Sequence, residues 1–189
     1  MNIHSGLAGG FYLLWGAWLV YWVALAWGNK QTAVRLNPIW RVLAVIVAGL
    51  IAAAVRLWPA YFGRRLLPPS GHRVEAGLAL TFAGLAFAIW ARRVLGTNWS
   101  GNPTIKVGHE LIETGPYRLV RHPIYTGLLL AAFGTLLAPA RVADLYGFAA
   151  AVVLLYCKLR VEEAFMLRQF PDAYPEYRRR TRALVPFLF

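Results

Sequence analysis

Apolar runs separated by short charged or turn-forming segments make up most of this chain. The run 6–27 contains no charged residue and, at about 1.5 Å per residue, is long enough as a helix to cross the hydrocarbon core of a bilayer. The run 42–55, which extends past Arg56 to residue 62, and the run 74–91 are also rich in apolar residues. This pattern predicts three N-terminal transmembrane helices within residues 1–95.

The second half of the chain is more varied. Two shorter apolar runs, 124–140 and 145–157, are separated by a break at Pro139 and predict a helical hairpin tilted against its neighbours. The tail 158–189 is charged and aromatic, and its prolines predict the end of one helix and the start of another. We therefore expect an all-α integral membrane protein with about five transmembrane helices, in a single domain over residues 1–189.

Composition supports a membrane protein rather than a soluble one. Of the 189 residues 59% are hydrophobic and only 15% are charged, and the mean hydropathy is +0.49. This balance lies outside the usual range for a soluble domain. The single cysteine, Cys157, excludes an internal disulfide and any cysteine-based metal cluster.

The basic residues predict topology rather than nucleic-acid binding. Lys and Arg number 20 against 8 Asp and Glu, and they form blocks between apolar runs, where anionic lipid headgroups account for them. Five spans place the loops after the first and third spans and the tail on the more basic side. The N-terminus is then outside and the C-terminus cytoplasmic, which fits the cell inner membrane with a site facing the cytoplasm.

A polar stretch, residues 108–127, interrupts the apolar pattern and is the candidate site. The spacing of His109 and His122 matches no common zinc pattern, and the chain has no nucleophile elbow or glycine-rich nucleotide loop. Pro123 suits the first position of a helix, whose free N–H groups, with Arg121 and His122, would attract a carboxylate or phosphate. A plain membrane boundary with an aromatic belt explains the same residues.

The spacing of the polar stretch and of the tail carries a resemblance. The stretch has Gly108-His109, Gly115, Tyr117, Arg121-His122-Pro123, Tyr125 and Gly127, and the tail has Glu162-Glu163, Phe170, Tyr174, Tyr177 and Leu184-x-Pro186. In this order and spacing, over residues 96–189, the chain resembles the isoprenylcysteine carboxyl methyltransferase family.

The resemblance implies a membrane methyltransferase that uses S-adenosylmethionine and takes a lipophilic or prenylated acceptor from the bilayer. The residue pattern itself leads us to expect no metal and no nucleic acid as partners. Residues 96–189 would form the cofactor-binding region. The residues that the resemblance assigns to the cofactor are Asn102, His109, Glu110, Leu111, Ile112, Tyr117, His122, Pro123, Ile124, Tyr125 and Glu162.

Lys158 and Arg160 are the candidates for orienting the acceptor. Eukaryotic members of the family place an Arg four residues before this glutamate, where the present chain has Lys158. Lysine is a point charge without the planar fork of arginine, so the acceptor is open. A prenylated cysteine carboxylate is the first choice, and phospholipid or thiol methylation are alternatives on the same scaffold. A nicotinamide-dependent reductase and a lipid-binding scaffold are further alternatives.

Overall fold

The fold is a bundle of helices. The structure, a computed structural model, describes residues 3–26, 32–35, 39–96, 104–106 and 111–185. The elements in chain order are α1 (Ile3–Ala26), β1 (Thr32–Arg35), α2 (Ile39–Leu57), α3 (Pro59–Phe62), α4 (Gly71–Leu95), β2 (Thr104–Lys106), a 3-10 helix (Gly115–Arg118), α5 (Pro123–Leu137), α6 (Val142–Gln169) and α7 (Ala173–Arg180). The predicted all-α class is therefore confirmed in its coarse form.

Two of these helices, α4 and α6, are long and apolar enough to cross a membrane. Shorter apolar helical stretches occupy Gly9–Leu25, Val42–Leu57 and Pro123–Leu137. Together they coincide with the five apolar runs of the sequence. Many large side chains on α1 and α2 face outward, with Leu13 75% exposed and Val45 71% exposed. The number of spans and their orientation stay predictions.

The structure adds two features to the predicted pattern. A short antiparallel pair joins β1 to β2, with Arg35 opposite Thr104. The charged segment after Cys157 continues the fifth apolar run without a break, so that α6 extends to Gln169. This helix begins where the backbone N–H of Arg141 donates to Oδ2 of Asp144 at 2.9 Å.

The core of the bundle is the contact between α4 and α5, where two helix backbones touch through residues with little or no side chain. A Cβ atom added to Gly84 would lie 2.5 Å from the backbone oxygen of Gly127 and 2.5 Å from the nitrogen of Ala131. A Cβ atom added to Gly134 would likewise lie 2.5 Å from the backbone oxygen of Gly77. Small residues on both helices therefore form a close-packed seam along their length.

Hydroxyl groups reinforce this seam. Thr81 is fully buried, and its Oγ1 donates to the carbonyl of Gly77 at 2.8 Å, lies 3.2 Å from that of Ala131 and 3.3 Å from Oγ1 of Thr135. Trp15 on α1 donates to the same Thr135 hydroxyl at 3.0 Å. These contacts fix α1 to the α4–α5 pair, whereas α2 packs on α6. The end of α4, the start of α5 and the end of α6 then lie at one end of the bundle.

The close contact of α4 and α5 predicts that an added methyl group destabilises the protein at the seam but not at an open helix position. Gly84→Ala forces α4 and α5 apart and should lower the free energy of unfolding by about 1–3 kcal/mol. Gly16→Ala is the matched control, because no atom lies within 4 Å of its added Cβ. Thermal unfolding of both variants in one detergent measures the difference. Equal unfolding midpoints would contradict the close approach.

Candidate active site

The start of α5 is held by the C-terminal tail of the chain. Val120 and Arg182 form a parallel bridge, in which the N–H of Arg121 donates to the carbonyl of Arg182 at 2.8 Å. The N–H of His122 donates to the carbonyl of Ala183 at 3.0 Å. These bonds use two of the backbone donors that precede the helix, so that the polar stretch and the tail form one unit.

A buried ion pair joins this unit to α6. Nε of Arg121 lies 2.6 Å from Oε1 of Glu163, and their side chains are only 7% and 6% exposed. The same guanidinium donates through Nη1 to the carbonyl of Thr181. Arg178 lies further out, with its Nε 3.8 Å from the other oxygen of Glu163. One carboxylate therefore fastens the start of α5 and the tail to the end of α6.

His122 lies between two carboxylates. Its Nδ1 is 3.7 Å from Oε2 of Glu162, and its Nε2 is 3.6 Å from Oε1 of Glu163. The ring stacks on that of Tyr125, with centroids 5.6 Å apart and an angle of 3° between the planes. Nε2 is buried and has no hydrogen-bond partner among the described residues. The stacked tyrosine and the two carboxylates thus fix the position of the ring.

Glu162 connects the histidine to a tyrosine and a lysine. The hydroxyl of Tyr125 donates to Oε1 of Glu162 at 2.6 Å. Nζ of Lys158, one turn earlier on α6, lies 3.7 Å from the same oxygen and 5.4 Å from the centre of the Tyr125 ring. Glu162 is 20% exposed, against 6% for Glu163, so the two neighbouring carboxylates differ in their access to a ligand.

Three tyrosines form the wall between the 3-10 helix and α7. Tyr177 donates its hydroxyl to the carbonyl of Tyr117 at 2.7 Å, and its ring meets Tyr174 edge to face. Tyr117 is 7% exposed and Tyr174 is 2% exposed. Burial raises the pKa of each of these three phenols, so all of them remain protonated and uncharged at neutral pH.

The structure brings together part of the predicted site. His122, Tyr125, Glu162 and Lys158 form one cluster, Pro123 is buried as the first residue of α5, and Ile124 and Leu111 with Ile112 are half-buried. Asn102, His109 and Glu110 lie outside the described residues. Tyr117 is connected to α7 through its backbone carbonyl, which accepts a hydrogen bond from the Tyr177 hydroxyl.

Arg160 points away from Lys158. It follows Lys158 by two residues, about 200° around the helix at ~100° per residue. Its Nη1 lies 3.0 Å from the hydroxyl of Tyr156, in an exposed contact on another face of α6. Lys158 and Arg160, the two cations predicted to orient the acceptor, therefore have different surroundings. Of the two, Lys158 lies beside Tyr125 and Glu162.

Sequence reasoning assigned Arg121 to an incoming anion, and the structure corrects that expectation. Glu163 already neutralises Arg121, while the carbonyl of Thr181 accepts a hydrogen bond from its Nη1. The sequence gives Glu163 only as the neighbour of Glu162, and the structure identifies it as the partner of Arg121. The available signal was the adjacency of the two glutamates, since neighbouring residues on a helix point about 100° apart.

Comparison with known proteins gives a family and a fold. A family model described as phospholipid methyltransferase matches residues 72–173. A cobalt-zinc-cadmium resistance protein, CzcN, from Cupriavidus metallidurans is 29% identical over 161 residues, covering 85% of this chain and 67% of the relative. A probable protein-S-isoprenylcysteine O-methyltransferase from Oryza sativa subsp. indica is 36% identical over 81 residues, which is 42% of each chain.

A solved structure described as the eukaryotic intramembrane Ras methyltransferase ICMT superposes with a TM-score of 0.58 at 19% identity. The match covers 82% of this chain and 55% of that one, and it shows that the two share a fold. This chain thus spans only about half of the solved protein and less than half of the rice relative.

The family model covers more than half of the chain and includes Arg121, His122, Tyr125, Glu162 and Glu163. The resemblance in the polar stretch and tail, the match to the rice relative and the shared fold all agree with it. The chain therefore belongs to the phospholipid methyltransferase family, and its predicted kinship with the isoprenylcysteine carboxyl methyltransferases is confirmed.

Proposed function

We propose that this protein transfers a methyl group from S-adenosylmethionine to a lipophilic acceptor that enters from the bilayer. The observation that carries the proposal is the cluster of His122, Tyr125 and Glu162 inside the region that the methyltransferase family model matches. The cluster lies at one end of an apolar bundle, where a polar donor and a lipophilic acceptor can meet.

The proposed setting is a membrane crossed by α1, α2, α4, α5 and α6. Residues 1–95 would supply three spans and residues 96–189 the cofactor-binding region and the other two. The N-terminus would lie outside and the C-terminus in the cytoplasm, because the tail and the loops on its side carry the larger number of basic residues. The cell inner membrane fits this arrangement, and the site would face the cytoplasm.

The described residues fit a methyl donor that is cationic and partly aromatic. When bound, S-adenosylmethionine supplies an electrophilic methyl group on a positively charged sulfur. Glu162 would attract that charge, and the stacked His122 and Tyr125 rings would form a rigid face beside it. We propose that Asn102, His109, Glu110, Leu111, Ile112, Pro123 and Ile124 complete the pocket, with Tyr117 supporting its wall.

Methyl transfer depends mainly on alignment, because the acceptor atom must approach the methyl carbon in line with the bond that breaks. The chain contributes fixed groups. Tyr125 is held by its hydrogen bond to Glu162, and His122 by its backbone bond to the tail. An ionised carboxylate acceptor requires no general base. We propose that Lys158 orients it, since its ammonium group lies beside Tyr125 and Glu162.

The carboxylate of a prenylated cysteine is the proposed acceptor. The rice relative is named as a methyltransferase of that group, and Lys158 offers a cation at the position where the family places one. The phosphoethanolamine amine and a thiol are the other acceptor chemistries that an assay should include, because fold and donor do not determine the acceptor.

The class of the donor is tested by titration of the purified protein. We expect saturable binding of S-adenosylhomocysteine and no binding of NADPH, measured by calorimetry under identical conditions. Binding of NADPH without S-adenosylhomocysteine would replace the methyltransferase by a reductase. Binding of neither would favour a non-catalytic membrane scaffold.

Substitution of the two adjacent glutamates is expected to have different effects. Glu162→Ala should weaken S-adenosylhomocysteine binding at least tenfold and leave the tail protected from trypsin. Glu163→Ala leaves Arg121 buried without its partner, which for a fully buried pair costs about 3 kcal/mol of folding free energy. Half of this cost, acting on the contact between the tail and the helices, raises the population of molecules with a detached tail about tenfold. Trypsin cleavage at the tail arginines measures the opening. Identical behaviour of both variants in both assays would disprove this division.

Lys158 and Arg160 provide a matched pair for the acceptor. Lys158→Ala should lower kcat/KM for a prenylated cysteine about tenfold or more, mainly through KM, because the carboxylate loses its cation. Arg160→Ala should stay within about twofold of the unmodified protein, since Arg160 contacts Tyr156 instead. Steady-state kinetics with saturating donor measure both. A larger effect at Arg160 would reverse the assignment.

A further inference from the structure

A cavity lies at the end of the bundle opposite His122. Its volume is about 890 Å³, within the range of about 300–1,000 Å³ typical of ligand sites. It opens between α1, α2, α4, α5 and α6, and none of the predicted site residues lines it. The methyl-transfer site described above does not account for this space.

The walls of the cavity are apolar. They include Phe11, Trp15, Leu136, Phe148 and Ala151. The gap exists because α1 packs on α4 whereas α2 packs on α6, which leaves a space between the first two helices of the chain. The lining of α6 runs from Ala143 to Ala151, about 12 Å at ~1.5 Å per residue. This depth and chemistry suit part of an acyl chain.

The mouth of the cavity is basic. Arg65 and Arg141 stand opposite each other in an antiparallel bridge, flanked by the hydrogen bonds from Leu66 N to Ala140 O at 2.7 Å and from Val142 N to Arg64 O at 3.0 Å. Residues opposite each other in such a pair project to the same side, where like charges repel. Both arginines line the cavity.

The repulsion between these two arginines is not relieved by an ion pair. Neither forms one within the described part of the chain. Asp144 is the carboxylate that lines the mouth, and it accepts the backbone N–H of Arg141. An external anion placed between the guanidinium groups would be bound by both of them.

We propose that this cavity binds an anionic phospholipid, with the phosphate between Arg65 and Arg141 and one acyl chain against the apolar walls. A second copy of the protein fits less well, because each copy carries a net charge of +12 and would bring more positive charge to a basic mouth. The inference rests on the proposed insertion into a membrane and does not depend on methyl transfer.

Native mass spectrometry in detergent tests the headgroup. With equal amounts of phosphatidylglycerol and phosphatidylcholine of the same acyl chains, the unmodified protein should retain the first at least tenfold more. In the double variant Arg65→Gln, Arg141→Gln the preference should fall to within about twofold. Arg64→Gln is the matched control, because Arg64 does not line the cavity, and it should keep the preference. Equal retention of both lipids by the unmodified protein overturns the proposal.

A filling substitution tests the acyl chain. Gly147 lines the cavity and has no atom within 4 Å of an added Cβ, so Gly147→Leu should occupy the space without a clash and abolish retention of lipid. Gly49→Leu is the control, since Gly49 has equally open surroundings but does not line the cavity. Unchanged retention in Gly147→Leu, or a lipid-free dimer of the unmodified protein, rejects the site. S-adenosylhomocysteine binding, measured on the same samples, should be unaffected in all variants and reports separately on the proposed function.

Discussion

The ion pair between Arg121 and Glu163 is the interaction on which the polar end of the molecule depends. Both charges are removed from solvent, so each is stable only in the presence of the other. Arg121 also holds the Thr181 carbonyl, and its backbone pairs with Arg182. One buried contact thus fixes the start of α5, the end of α6 and the tail relative to each other. The position of His122 is a consequence of this contact, because it is the next residue in the chain.

Two neighbouring carboxylates on α6 divide the work at this end. Glu163 faces inward and serves the architecture, whereas Glu162 is turned towards Tyr125 and Lys158 and retains access from outside. The buried charge of Glu163 is thus separated from the partly exposed charge of Glu162, which a ligand can reach. It also explains how a polar site survives next to apolar helices: most of its hydrogen-bonding capacity is used within the protein, and a few atoms remain open.

The helices could be predicted because the apolar runs are bounded by proline, glycine and charged residues, which are local signals. The pairing of β1 with β2 could not, since it joins segments some 70 residues apart with no distinctive pattern. Resemblance identified His122, Tyr125 and Glu162, and the structure places them together. The partner of Arg121 was missed because several carboxylates and one anionic ligand were equally compatible with the sequence. Gly77, Gly84, Gly127 and Gly134 have a visible spacing of seven, but the spacing does not name the facing helix.

The seam between α4 and α5 has a consequence for the route of the proposed acceptor. Where the two backbones touch, at Gly77 with Gly134 and at Gly84 with Gly127, no space remains between the helices for a hydrocarbon chain. On the proposed insertion into a membrane, an acceptor from the bilayer could not pass between α4 and α5 at these contacts. The glycines that bring the two helices together would therefore also close one route to the polar end.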